Sequence, residues 1–245
     1  MGNGTDVKAP AMLSLEMQAS LAGFITEKII KGSSVEQVEY WLGHKKELSK
    51  NLNLVFSLIS EDQYSAERED WQKFYKTQFD WDVDFSQVII PSLPEFGKWR
   101  LIFIAKGMTM NLAFDKASKL FSTWRYNDDL DKAVTTNIRN TQNSYAIWVQ
   151  DEVEPDVAYL GKSTRQADPD MNLGITVLEG IILEMKYFLE TDNHLNIKGA
   201  TFCSGSRGSD GNVPGVDWSS GGFRVSWCDL GGSGSGCGIR LVVSL

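Results

Sequence analysis

The residues able to do chemistry are few and dispersed. Three cysteines, Cys203, Cys228 and Cys237, make an odd number, so no disulfide framework can pair them all. Free thiols in a reducing compartment are the simpler reading. Cys228 and Cys237 are near in sequence and could be brought together, but thiolate chemistry would need exposure and a lowered pKa. No histidine accompanies them. His44 follows Gly43 and precedes two lysines, as a solvated side chain does, and His194 falls where a turn should follow a long helix. Asp128-Asp129-Leu130-Asp131 is a dense carboxylate cluster without the glycine and closing glutamate of a calcium loop, so it reads as a solvated helix terminus. No catalytic residue, metal or cofactor is expected.

Positioning any site takes a core, and 245 residues that are 42% hydrophobic and 11% aromatic, with 8 tryptophans, can build one. A net charge of -8 and the lack of a basic stripe argue against nucleic acid or an anionic membrane as partner. No run of about 18 apolar residues appears, and the N-terminus lacks the pattern of a signal peptide. The expectation is no membrane insertion, with a cytoplasmic location or a virion or cell-surface location reached by another route.

Residues 1–80 read as a helical segment for oligomerisation, attachment or packing. Leu13, Met17, Leu21, Phe24, Ile25 and Ile29 recur near helical spacing, and Ser33 answered by Glu36 has the form of a capping box. Residues 68–79 support a further amphipathic turn or two. The texture changes over 81–245. Asp82–Ile90 alternates before Pro91 and Pro94, and Trp99–Ala105 is a buried-strand candidate. Leu112, Phe114, Ala117, Leu120, Phe121 and Trp124 mark a helix, and Tyr145–Val149 a strand. The clearest helical stripe runs from Leu173 through Val177, Ile181 and Met185 to Leu189, capped by Asp168 or Asp170. Short strands follow His194. Val213, Val216 and Trp218 form one run and Phe223, Val225 and Trp227 the next, with Ser219-Ser220-Gly221-Gly222 as the turn. With those sets inward, Gly215, Asp217, Ser219, Arg224, Ser226 and Cys228 face outward.

The tail from Thr201 to Leu245 contains no lysine or glutamate and holds half of the chain's 22 glycines. Its run Gly231-Gly232-Ser233-Gly234-Ser235-Gly236-Cys237 has the composition of a flexible linker, yet only one short strand follows. The outward residues Gly, Asp, Ser, Arg and Cys share another property: each is reached from an asparagine codon by changing adenines alone. Lysine, glutamate, glutamine and methionine are not, and none of these occurs after Lys198.

In the order of its elements the tail resembles the variable proteins of diversity-generating retroelements. The resemblance rests on Cys203-Ser204-Gly205-Ser206-Arg207, on Val213-Pro214 with Val216-x-Trp218, on Phe223-x-Val225-x-Trp227, and on Gly238-Ile239-Arg240-Leu241-Val242-Val243-Ser244. Upstream, Ile104-Ala105-Lys106-Gly107-Met108-Thr109 and Ser144-Tyr145-Ala146-Ile147-Trp148-Val149 are similar to the same group's framework. It implies an α+β, C-type-lectin-like fold over 81–245, with a small twisted antiparallel sheet, two helices, and Trp99–Ala105 paired with the final strand Ile239–Ser244. It also implies non-catalytic binding of a protein or other surface ligand through residues diversified over about 205–240. The expected ligand surface is Gly215, Asp217, Ser219, Arg224, Ser226, Cys228, Asp229, Gly232, Ser233, Ser235 and Cys237. Trp227-Cys228-Asp229 resembles the Trp-Asn-Asp motif of calcium-dependent lectins, but its middle thiol is a poor ligand for a hard cation. The alternatives are a virion or surface structural protein without variable binding, and a cysteine-dependent oxidase of the formylglycine-generating type. Oligomers would form through the N-terminal helices.

Overall fold

The computed structural model describes residues 33–47, 50 and 63–245, and the chain divides into two compact units, Met1–Glu61 and Asp62–Leu245. In the first unit, helix α1 (Val35–Gly43) starts at Ser34, whose hydroxyl accepts from Gln37 N–H while the Gln37 side chain accepts from Ser34 N–H. The capping box is thus one residue later than the Ser33–Glu36 pair expected from sequence. The stripe from Leu13 to Ile29 lies outside the described residues.

Helix α2 (Ser65–Phe79) belongs to the second unit, because it carries four core aromatics, Trp71, Phe74, Tyr75 and Phe79. Two of them also satisfy the backbone of β1 (Trp99–Ile104): Trp71 Nε1 donates to Leu101 O at 3.2 Å, and the Tyr75 hydroxyl donates to Phe103 O at 2.9 Å. Burying each such side chain is worth about 1.5–3 kcal/mol, which fixes the helix against the sheet. Asp82–Ile90 forms no strand, although Phe85 and Val88 are buried.

β1 pairs antiparallel with β4 (Tyr145–Gln150) from Trp99↔Gln150 to Ile104↔Tyr145, and β4 also pairs with β10 (Val242–Val243). The sheet order is β1-β4-β10, so the early strand does not pair with the last one as expected. β4 takes the middle place, and Ala146, Ile147, Trp148 and Val149 are all buried, so both faces of the sheet are covered there.

Helix α3 (Met110–Ala117) is capped by Thr109 and ends before Leu120, and Trp124 lies on β2 (Thr123–Arg125) rather than in the helix. A short helix α4 (Leu130–Ala133) leads into β3 (Val134–Asn137). After helix α5 (Thr164–Ala167) comes α6 (Val177–Thr191), capped by Thr176 with Glu179 in a complete capping box. Asp168 does not cap α6. It is buried and accepts from the N–H groups of Asn172, Leu173 and Gly174 and from the Ser204 hydroxyl, holding the turn that precedes the helix.

The tail supplies β5 (Thr201–Phe202), β6 (Ser206–Gly208), β7 (Val213–Ser219), β8 (Gly222–Cys228), β9 (Gly238–Ile239) and β10. A five-stranded sheet has the order β2-β8-β7-β5-β9, and β3 pairs with β6 alone. β7 and β8 form an antiparallel hairpin closed by Ser220 and Gly221, with φ of 53° and 76°. Positive φ at both central residues suits the right-handed twist of the strands. The second unit is therefore α+β, with small, mainly antiparallel sheets and several helices.

Candidate ligand-binding face

The hairpin stands on a buried polar frame. Arg240, 1% exposed, donates to the carbonyls of Gln150, Glu152, Val153 and Glu154 and so holds the chain leaving β4 against the tail. Arg139 pairs bidentately with Glu179 at 2.6 and 2.8 Å, and the Tyr145 hydroxyl donates to the same carboxylate at 2.9 Å. Burial works against the Glu179 charge, but Arg139, the Thr176 N–H and the Tyr145 hydroxyl together hold the carboxyl below its ordinary value. Under the hairpin, His194 is sandwiched between Phe188 and Trp218 and hydrogen-bonds Glu184 through Nδ1 at 2.7 Å. Burial pushes Glu184 up to about 8, against the opposing pull of Leu195 N–H and Arg240, and burial pushes His194 down.

The five-stranded sheet is covered on both sides, unequally. Val216, Phe223 and Val225 face the main core. Phe202 and Val213 face the other way, into a smaller cluster with Ala167 and Ile239, against which Cys228, Leu230 and Cys237 pack. Val213 and Val216 therefore cannot share a face, as their odd spacing requires. Trp227 is 55% exposed rather than an inward scaffold residue, because at its end of the hairpin the covering cluster lies on the opposite side.

This cover divides the expected ligand surface. Gly215 is buried, paired with both Phe202 and Ser226, and is not part of an exposed face. Cys228 and Cys237 are half-buried free thiols, and burial, Asp229 and Cys237 push the Cys228 thiol up, the opposite of what thiolate chemistry needs. Asp217, Ser219, Arg224 and Ser226 are half-exposed, and Asp229, Ser233 and Ser235 are exposed. The Ser219 hydroxyl donates to Asp217 Oδ2 at 2.5 Å and accepts from Arg224 Nη1 at 3.2 Å.

The glycine-rich segment is held, not loose. Arg165 N–H donates to Leu230 O, Gly161 N–H to Cys237 O and Gly238 N–H to Ala200 O. A Cβ on Gly236 would lie 2.7 Å from Lys198 O, and one on Gly238 would lie 2.8 Å from Tyr159 O. A Cβ on Gly232, half-buried, would meet Cys228 Sγ at 2.1 Å. Gly236 and Gly238 are demanded by close approach to backbone, Gly232 only by a thiol that can rotate away, whereas Ser233 and Ser235 are exposed.

One residue of this face escapes a sequence reading. Trp124, 50% exposed, is brought beside Arg224 by the parallel pairing of β2 with β8, and the Arg224 guanidinium lies over its ring at 5.0 Å. The three-residue strand is too short to show alternation, so Trp124 merges with the preceding helical stripe.

Asp128-Asp129-Leu130-Asp131 caps helices. Asp129 accepts from Lys132 N–H at the start of α4, and Asp131 accepts from Met110 N–H at the start of α3. Lys132 and Asn111 hold the Asp129 carboxyl down at about 2. His44 is exposed and stacks on Tyr40. Among the described residues no group of three or more His, Cys, Asp or Glu could hold a metal ion, and no helix is long and apolar enough to cross a membrane. Comparison with protein-family models, with curated proteins and with solved structures finds no match to this chain.

Proposed function

We propose that this chain is a non-catalytic ligand-binding protein with a C-type-lectin-like second unit, whose outward tail residues are diversified by a retroelement. The observation that carries the reading is the sidedness of the tail. Asp217, Ser219, Arg224 and Ser226 lie half-exposed on strands whose other face buries Val216, Phe223 and Val225 in the core, and Asp229, Ser233 and Ser235 continue the exposed set. A face built this way keeps its backbone whatever its side chains are, since exposed substitutions usually change stability within about 0.5 kcal/mol. The ligand is a protein or other surface, and the N-terminal helices are assigned to oligomerisation or attachment, consistent with the exposed Val35 and Leu42 on α1.

The test is genetic and direct. The DNA encoding residues 205–240 should have a nearby near-repeat differing almost only at adenines, beside a reverse-transcriptase gene. Absence of both sinks the proposal. A library at Asp217, Ser219, Arg224, Ser226, Asp229, Ser233 and Ser235 should yield folded members with differing ligand preferences.

A further inference from the structure

The structure assigns to Trp124 the role of a fixed anchor in the ligand face, and with Arg224 beside it this copy is built to take a carboxylate side chain of a protein partner. This rests on the binding reading above and adds the chemistry of the ligand. Trp124 lies outside the tail, so its ring is constant while its neighbour at 224 varies. β2 and β8 run parallel in register, and any side chain at 224 starts beside that ring. A half-exposed tryptophan at the edge of an otherwise small-residue surface is the side chain best able to carry binding energy there.

Arg224 sets the preference. Arg100, Arg125 and Arg139 each have a carboxylate of this chain within ion-pair distance. Arg224 has none among the described residues: it stacks on Trp124 and gives one Nη1 hydrogen bond to the Ser219 hydroxyl. Asp217, its cross-strand partner, is engaged by the same hydroxyl instead. A guanidinium has five N–H donors in a planar fork, so donors remain for a bidentate carboxylate, the geometry that suits the fork. Asp217, opposite Arg224 across the hairpin, adds a negative charge beside it, which opposes a doubly charged phosphate more than a singly charged carboxylate. The ring's free surface would pack the aliphatic stem that bears the carboxylate.

The experiment uses the full chain and N-acetyl-glutamic acid α-amide as probe, with N-acetyl-glutamine amide, inorganic phosphate and methyl glucoside as comparisons, followed by the Trp124 indole N–H resonance. The acid should shift that resonance saturably, and Arg224→Gln should weaken binding roughly tenfold or more, the scale of a charged hydrogen-bonded pair. Followed by the Arg224 backbone amide resonance, since these variants lack the indole, Trp124→Ala should weaken binding roughly two- to fivefold, the scale of an exposed cation–π contact and its packing, while Trp124→Phe keeps part of it. Circular dichroism of each variant separates lost binding from lost fold. The inference is overturned by equal binding of the neutral amide, by tighter binding of phosphate or glucoside, or by an unmoved Trp124 resonance. If the template repeat exists and tail variants switch ligands while the acid does not bind, this inference fails and the proposed function stands. Acid binding without a template repeat gives the reverse.

Discussion

At the Val213–Cys228 end of the hairpin Val213 and Gly215 are buried and Cys228 is half-buried under a second layer, while towards the turn Asp217, Ser219 and Arg224 are half-exposed beside the open Trp124. Both ends follow the same strand alternation. What separates them is a second layer: Ala167, Phe202, Val213 and Ile239 close over one end only. Alternation says which side of a strand a residue takes; exposure depends on what is packed against that side. The same contrast runs through the glycine-rich segment, where Gly236 and Gly238 are pinned against backbone and Ser233 and Ser235 are not.

The contrast can be broken most severely at Phe202. Phe202→Ala should cost about 3–5 kcal/mol, read as a lower urea midpoint, and should raise the labelling rate of Cys228 and Cys237, which pack on the same cluster. Unchanged thiol reactivity would mean that the cluster does not cover that end. Next in size, Gly238→Ser should lose about 1–3 kcal/mol through overpacking against the Tyr159 carbonyl. A thermal melt indistinguishable from the parent would show that the approach is not tight.

A third test concerns the frame under the open end. The folded chain keeps on Glu184 a proton that the unfolded chain loses above its ordinary value of 4.5. Its contribution is therefore fully present below about pH 4.5 and is lost as pH rises through about 8. His194, pushed down, acts oppositely: its contribution is present above the ordinary value of 6.5 and is lost as pH falls through the lower folded value. Glu184→Gln should flatten the loss of stability between about pH 4.5 and 8 in thermal melts, and an unchanged slope would remove Glu184 as its source. The smallest effect belongs to the exposed loop. Ser233→Tyr and Ser235→Asn should each move stability by no more than about 0.5 kcal/mol, and a larger drop would class these positions with the pinned glycines.

Much of the core was legible in the sequence. Trp99–Ile104 and Tyr145–Gln150 are strands, and the apolar stripe from Val177 onward is a helix, because continuous or periodic apolar runs report burial wherever they lie. The hairpin and its Ser220–Gly221 turn were legible too. Caps shifted by one residue or moved to Thr176, since several serines, threonines and aspartates compete at each helix start and packing selects one. The helical segment at 65–79 joined the second unit because its aromatics meet β1, a contact between distant parts of the chain.

The sequence by itself determined the α+β alternation of elements, the acidic balance and the unusual composition of the tail, all of which are local or summed properties. Only the tertiary structure decided that β4 stands between the first and last strands, that Gly215 and the two tail thiols are covered, and that Trp124 lies beside Arg224. Each of these depends on which distant segments pair and pack, and neither spacing nor alternation along one strand carries that information.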